Sequence, residues 1–430
     1  MKMEKWQKMN SGIIKSVKIR RIRVNPCAID RTRMIRIYTN LHGLFFRSIF
    51  IMLLINLAFN SSAQDKERNW RLNGHLQVLQ DLWIPPQSGQ WQTMTMIGNR
   101  FDFRWNPGNT VSFHAGLRNN LNLGQMVQLL GPSYADTTIK DAGFFNLTRL
   151  WVSDTSYYFF SDIDRLNFKV RTGKLEATIG RQRINWGINL VWTPNDIFNS
   201  YNYFDFDYVE RPGCDAVLLE YFTGETSSLQ FGFKLDSDEK ITSALMYKFN
   251  RWNYDFQAFG GVMTEDLAVG AGWSGDIKGA GFTGELSYFR PYDGFSDTTG
   301  IFEASISANY TFKNSLFVNG SYLFNSAGTK GPAGYGTLLS LYDDISAKNF
   351  TLAKHSIYAG IGYPVTPLIR ADLSSIFNPN DKSGFFGPSV DISLTNNVTL
   401  FFIAQVFWGD DLTEFGDYGS LCYLRLKWNF

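Results

Sequence analysis

From Trp70 to the end, polar and apolar positions along this chain alternate with a period of two. In 301–312, Phe302, Ala304, Ile306, Ala308, Tyr310 and Phe312 share one parity. Ile301, Glu303, Ser305, Ser307, Asn309 and Thr311 share the other. Successive side chains of a strand point to opposite faces, so this spacing predicts a β-strand with one apolar and one mostly polar face. The same alternation sets Val111, Phe113, Ala115 and Leu117 against Ser112, His114, Gly116 and Arg118. It sets Phe168 and Val170 against Asn167, Lys169 and Arg171, and Ile369, Ala371 and Leu373 against Arg370, Asp372 and Ser374. Pro388, Val390, Ile392 and Leu394 oppose Ser389, Asp391 and Ser393 in the same way. Segment 398–408 is apolar on both parities, which leaves its facing open, and in 119–162 no strand order is legible.

The connections alternate in length. Working back from the C-terminus, 409–419 is long and acidic, 395–397 short, 378–385 longer, 364–366 short, 325–354 very long and 313–314 short. Short turns at one end and long loops at the other predict an all-β protein. The expected architecture is a single antiparallel transmembrane β-barrel of roughly 16 to 18 strands, with 18 favoured and both termini in the periplasm. A soluble sandwich has no need of that one-sided asymmetry. The last strand carries the sharpest local signal. Cys422, Leu424, Leu426, Trp428 and Phe430 share a parity facing lipid, against Tyr423, Arg425, Lys427 and Asn429. A terminal Phe closing an alternating strand resembles the signal read by the barrel-assembly machinery of Gram-negative cells. Phe430 and Trp428 are therefore the expected assembly residues.

The N-terminal region adds export. Arg47 precedes an apolar stretch over 48–59, and Ser61-Ser62-Ala63 follows. This is the charged, apolar and small-residue order of a secretory signal peptide, with cleavage expected after Ala63 and the barrel over 64–430. The apolar stretch is too short for a spanning helix, which takes about 20 residues. Residues 1–33 read as an extension ahead of a true start at Met34. Composition agrees with a membrane barrel. Phe contributes 37 residues, Tyr 20 and Trp 12, and aromatic rings at that density suit a lipid face and two interfacial girdles. Of 41 basic and 39 acidic side chains, 12 and 2 fall in residues 1–63, so the remainder is acidic by eight. That balance argues against a nucleic-acid partner. Cys27, Cys214 and Cys422 have neither zinc nor redox spacing, and a lipid-facing Cys422 disfavours a bridge to Cys214. His75, His114 and His355 stand on expected strands without a nucleophile motif, so no enzyme, cofactor or metal is expected.

One segment differs from its surroundings. Residues 180–215 contain Gly180-Arg181-Gln182-Arg183, Trp186-Gly187, Pro194-Asn195-Asp196, Asp205-Phe206-Asp207 and Glu210-Arg211-Pro212-Gly213. The strand before them points Leu175, Ala177 and Ile179 outward. Strict alternation would then aim Arg181 and Arg183 at lipid, at a cost of about 2–4 kcal/mol each near mid-membrane. A β-bulge at Gly180 is expected to turn them inward; otherwise the strand has already reached the interface. The connection that follows runs about 26 residues, longer than an ordinary loop, and is too aromatic to be disordered. It is expected to fold into the barrel and face Arg181, Arg183 and Arg211 with Asp196, Asp205, Asp207, Glu210 or Asp215. Opposed charges at a constriction would set pore size and ion preference; the alternative is that the ion pairs only pin the loop.

These motifs resemble porin-like outer-membrane families, and the same look is shared by alginate-export-type barrels. The motifs cover under a tenth of the chain and do not fix a substrate. The barrel size, the polar inner face and the candidate constriction loop predict a passive channel for small polar solutes in the outer membrane, surrounded by lipid, with a homo-oligomer left open. Expected lumen residues Asp102, Arg104, Arg118, Lys169, Arg171, Arg370, Asp372, Arg425 and Lys427 are mixed in charge, which predicts weak ion selectivity. A polysaccharide exporter, and an adhesive barrel presenting 325–354, remain the competing readings. A gated transporter is disfavoured, because a plug domain needs far more chain before the first strand.

Overall fold

The computed structural model describes residues 69–86, 90–205, 210–332 and 345–430. Two units are distinguished, Met1–Arg68 and Asn69–Phe430. The expected signal peptide over 1–63 and its cleavage site lie outside the described residues.

In the second unit the alternating segments are strands. They begin with β1 (Trp70–Ile84), β2 (Gln92–Trp105), β3 (Val111–Gly124), β4 (Thr148–Ser153), β5 (Tyr157–Thr172) and β6 (Leu175–Gln182). Then come β7 (Cys214–Phe222), β8 (Ser228–Leu235), β9 (Ile241–Arg251), β10 (Tyr254–Met263), β11 (Asp266–Ile277), β12 (Ala280–Pro291) and β13 (Ile301–Thr311). The last six are β14 (Phe317–Asn325), β15 (His355–Thr366), β16 (Ile369–Asn378), β17 (Ser383–Ser393), β18 (Val398–Trp408) and β19 (Ser420–Asn429). Neighbours in sequence pair antiparallel, and β1 pairs with both β2 and β19, so the sheet closes on itself. Eighteen strands form the ring, the favoured end of the expected range.

The nineteenth strand explains why 119–162 resisted reading. β3 pairs with β5, not with β4, and the connection between them holds α1 (Gln125–Leu130), α2 (Pro132–Thr138) and β4. β4 lies against the far end of β5 only, over Tyr158–Asp162, above the part of β5 that pairs with β6. β6 and β7 stop early, at Gln182 and Cys214, and the strip before β4 crosses their ends: Gly143 forms a β-bridge with Asp236, and Ser237 N–H donates to the Ala142 carbonyl. The wall there is completed by a strip from another connection.

The expected faces hold. On β13, Phe302, Ile306 and Tyr310 are exposed on the outside while Glu303, Ser305 and Ser307 are buried inside. β18, ambiguous by pattern, points Phe402, Val406 and Trp408 outward and Gln405 and Phe407 inward. The start of β1 and the C-terminal Phe430 lie at the short-turn end, where the Phe430 N–H donates to the Gly74 carbonyl and the Gly74 N–H to the Phe430 carbonyl, each at 2.9 Å. There Phe101, Phe430 and Trp428 form one run of outward rings, and Trp70, Phe103 and Phe113 another. A side chain at Gly74 would put its Cβ 2.6 Å from the Phe430 ring, so the glycine makes the seat for the terminal residue. The opposite end is less uniform than the sequence suggested. It carries the long connections 125–156, 183–213, 326–354 and 409–419, but β10 and β11 are joined there by Thr264-Glu265 alone.

Candidate functional site

Of the connection between β6 and β7, the described residues 183–205 fold into the barrel as expected and are fixed at two places. The first is Glu285 of β12, which is fully buried. Its carboxylate accepts backbone N–H groups from Ile188 at 2.5 Å, Asn189 at 2.6 Å and Asn195 at 2.8 Å. Thr283 donates to the Asn189 carbonyl oxygen of the side chain at 2.6 Å, and Asn189 Nδ2 to Ser305 Oγ at 2.8 Å. Ser287 Oγ donates to the Pro194 carbonyl, and Gln257 Nε2 to the Trp186 carbonyl at 2.6 Å. Trp186 packs against Phe198 and Phe259 with centroids at 4.8 and 5.8 Å. Buried N–H and carbonyl groups of a loop must find partners, and the inward rows of β10, β12 and β13 supply acceptors and donors.

The second fixing point is aromatic. Phe204 packs against Phe385, Phe407 and Phe415, and Tyr203 against Tyr358 and Phe385, with centroids between 5.1 and 6.3 Å. These partners come from β15, β17, β18 and the 409–419 connection, and Gln405 Nε2 donates to the Phe204 carbonyl. The loop is therefore a strut held by two groups of strands, β10 to β13 and β15 to β18. Its Trp192 joins an apolar cluster at the long-loop end that includes Leu79, Met96, Phe350, Tyr418 and Leu421.

Toward the short turns the interior is charged. Arg104 pairs with Asp102 at 3.0 Å, His114 with the same carboxylate at 2.9 Å, Lys169 with Glu176 at 2.5 Å and Arg370 with Asp372 at 2.8 Å. Arg100 pairs with Asp164, the residue bulged out of register where β3 meets β5. Arg171 and Arg425 lie over the rings of Phe222 and Phe401. A cavity of about 360 Å³ opens beneath the strut, lined by Ile188, Lys248, Asp255, Gln257 and Ser274 among others. Among the described residues no group of three His, Cys, Asp or Glu is arranged to hold a metal.

The residues expected at a constriction separate into different roles. Arg181 is buried in the wall. Its Nε and Nη2 donate to Asp215 at 2.9 and 2.8 Å, Nη1 donates to Asp141 at 2.7 Å, and Nη2 also reaches the Phe145 carbonyl at 2.6 Å. Asp215 is one of the expected partners, but the node ties β6 and β7 to the strip that completes the wall and does not line a passage. The expected bulge at Gly180 is absent: pairing of β6 with β5 and β7 runs without a shift. Gly180 instead takes φ +111°, and Arg181, still opposite Leu166 and Asp215, is buried because the strip around Asp141, Gly143 and Phe145 covers it. Arg183 lies just past the strand end, half-buried, with Arg165 and Arg211 close enough to act on it electrostatically. Arg211 stacks over the Tyr201 ring at 3.0 Å, and Arg165 donates to the carbonyls of Glu210 and Arg211. Asp196 is fully buried beneath Trp186, and burial pushes its carboxyl up to about 6 against the pull of the Trp186 N–H and Arg183. Asp205 is exposed, Glu210 is half-buried and Asp207 lies outside the described residues. The sequence reading missed Glu285, Asp141 and Gln257. Inward parity marks Glu285 and Gln257 as lumen positions, but only the folded loop shows what they hold.

Comparison with solved structures places the fold. The chain is similar to the outer membrane protein OprD from Pseudomonas aeruginosa, with TM-score 0.53 and 11% identity over 84% of this chain and 94% of that one. It is similar to OccK11 (OpdR) of the same organism, with TM-score 0.52, 12% identity and coverage of 84% and 96%. It is also similar to a BenF-like porin from Pseudomonas fluorescens Pf-5, with TM-score 0.51, 12% identity and coverage of 84% and 98%. At such identities the likeness establishes the fold: a closed eighteen-stranded antiparallel barrel of the outer-membrane porin type. These relatives carry the porin-like side of the resemblance; none of the three carries the alginate-export side. No family model matches the chain, and no curated protein matches it.

Proposed function

We propose that the chain is an outer-membrane channel for passive diffusion of small polar solutes, with the 183–213 strut narrowing its lumen. The observation that carries this reading is a closed ring whose interior is lined by charged rows and crossed by a loop fixed at both ends. A purely structural barrel has no use for charged inward rows beneath a strut. On this reading the short turns and both termini are periplasmic, the outward rows meet outer-membrane lipid, and Phe430 with Trp428 engages the barrel-assembly machinery. One of the similar structures is named a porin, which supports transport over catalysis. Arg183 and Arg211, not Arg181, are the arginines of the strut placed to meet a solute.

The test is planar-bilayer recording of the refolded 64–430 chain. Discrete conductance steps are expected, larger after shortening the strut, and Arg183→Ala with Arg211→Ala should move the reversal potential toward cations. A wild-type chain that gives no steps, and a shortened strut that opens none, would sink the channel reading. N-terminal sequencing of the protein extracted from outer membranes should start at Gln64; finding residues 1–40 in the mature chain would rule out the export reading.

A further inference from the structure

The outward face of a membrane barrel is expected to be apolar at mid-membrane depth, because lipid offers polar side chains no partner. Among the described residues, the mid-depth outward positions of β6 to β19 are aliphatic, aromatic or small. Where Ser375 breaks this, its hydroxyl folds back onto the Phe385 carbonyl at 2.9 Å. β2, β3 and β5 differ. Asn99, Asn119 and Ser161 stand directly opposite one another on the outward rows, flanked by Ile97, Leu121 and Phe159 on one side and Phe101 and Leu117 on the other.

These side chains form a directed relay across the wall. Trp151 Nε1 on β4 donates to Ser161 Oγ at 2.8 Å, Ser161 Oγ donates to Asn119 Oδ1 at 2.5 Å, and Asn119 Nδ2 donates to Asn99 Oδ1 at 2.8 Å. The relay ends at the Asn99 Nδ2 group, whose neighbour on β1 is Leu76, a side chain with nothing to accept. Asn99 lies six residues along β2 from Trp105 of the short-turn girdle. At about 3.4 Å per residue and a tilt near 40°, that is on the order of 15 Å into an apolar band about 25 Å tall. The relay therefore climbs from mid-membrane at Asn99 to the long-loop interface at Trp151, and its unpaired donors sit at the deep end.

We propose that the outer wall of β2, β3 and β5 is a self-association surface, and that its occupant is a second copy of this chain. A side-chain amide carries both donors and a carbonyl with two lone pairs. Asn99 accepts one hydrogen bond within its own chain, so it keeps an acceptor site as well as its free donors. Two copies facing each other about a twofold axis can satisfy both amides reciprocally, which is the self-complementarity of an isologous interface. Amide side chains in lipid associate spans for this reason. The inference needs the outward rows to face lipid but not an open pore.

The experiment places a single cysteine at Ile97, beside Asn99, in the full chain carrying Cys422→Ser, and oxidises isolated outer membranes. A covalent species of twice the mass, heavy in this chain alone, is expected from Ile97→Cys and none from Ile306→Cys on β13. Wild-type protein in native-lipid nanodiscs should show the mass of an oligomer, and the Asn99→Leu, Asn119→Leu double variant the mass of a monomer with heat-modifiable gel mobility intact. Unit conductance should be unchanged by the double change, so a wild type that is monomeric while its channels still open removes this inference alone. A monomeric wild type without cross-links, a cross-link to a different protein, or a double variant that stays associated would each overturn it. If the double variant fails to fold, the cysteine cross-link decides.

Discussion

A guanidinium withdrawn from solvent needs acceptors for its N–H groups, and Arg181 finds them on Asp141, Asp215 and the Phe145 carbonyl. Removing one partner of such a buried cluster leaves charge without compensation, so Arg181→Ala should destabilise the barrel by about 3–5 kcal/mol. Urea titration followed by gel mobility reads this, and replacing Asp141, Arg181 and Asp215 together by apolar residues should cost less than the single change. Asp196 gives a pH signature. Its folded-state value is raised above the unfolded one, so its contribution to loop docking is present at low pH and lost as pH rises through about 6. The protection factor of the Trp186 amide, corrected for intrinsic exchange, should therefore fall between pH 4 and 7, and Asp196→Asn should flatten that dependence. The charges in 180–215 were visible in the sequence as an anomaly, but their sorting was not. Whether Arg181 meets lipid, lumen or a strip of wall depends on residues 141–145, which stand about 40 positions away in the chain.

At the scale of elements, period-two alternation made the strands and their facing legible, because each strand has one wet and one apolar side. It failed where an element left the ring. β4 is short, α1 and α2 interrupt the pattern, and no local rule tells a strand to pair with β5 while standing outside the closed ring. The strut is legible as a long aromatic loop but not as one fixed at two ends. Glu285 gathers three of its N–H groups, and nothing in the sequence around Glu285 announces that. Glu285→Ala should free the near end of the strut and raise single-channel conductance while leaving the ring assembled. Trp186→Ala, which empties a large buried site, should loosen the same end at about 3–5 kcal/mol. If conductance is unchanged in both variants, the strut does not limit the passage.

For the whole molecule, closure depends on the seam between β1 and β19, where Phe430 sits over Gly74 and beside Phe101. Gly74→Leu removes the seat without touching the terminal residue, so it should impair assembly as deletion of Phe430 does. Trp428→Asp should be worse than an equal change at Asn429, which shares the parity of the lumen rows. The amount of heat-modifiable protein in outer membranes reads all four. Strand number, closure and end position followed from parity and from the spacing of connections. The occupancy of the interior did not, since it depends on contacts between loops distant in sequence.

The interior described above is not the same from one mouth to the other: charged side chains lie toward the short turns, and an apolar cluster of loop and strand residues lies toward the long loops. A conduit with fixed charge at one entrance and a poorly wetted neck at the other does not treat the two directions of flow alike. Ions driven in from the charged side accumulate ahead of the neck, and ions driven from the other side are depleted in it. The current–voltage curve of a single inserted barrel should therefore be bent, with more current at one polarity than at the other. Raising salt should straighten it as the fixed charges are screened.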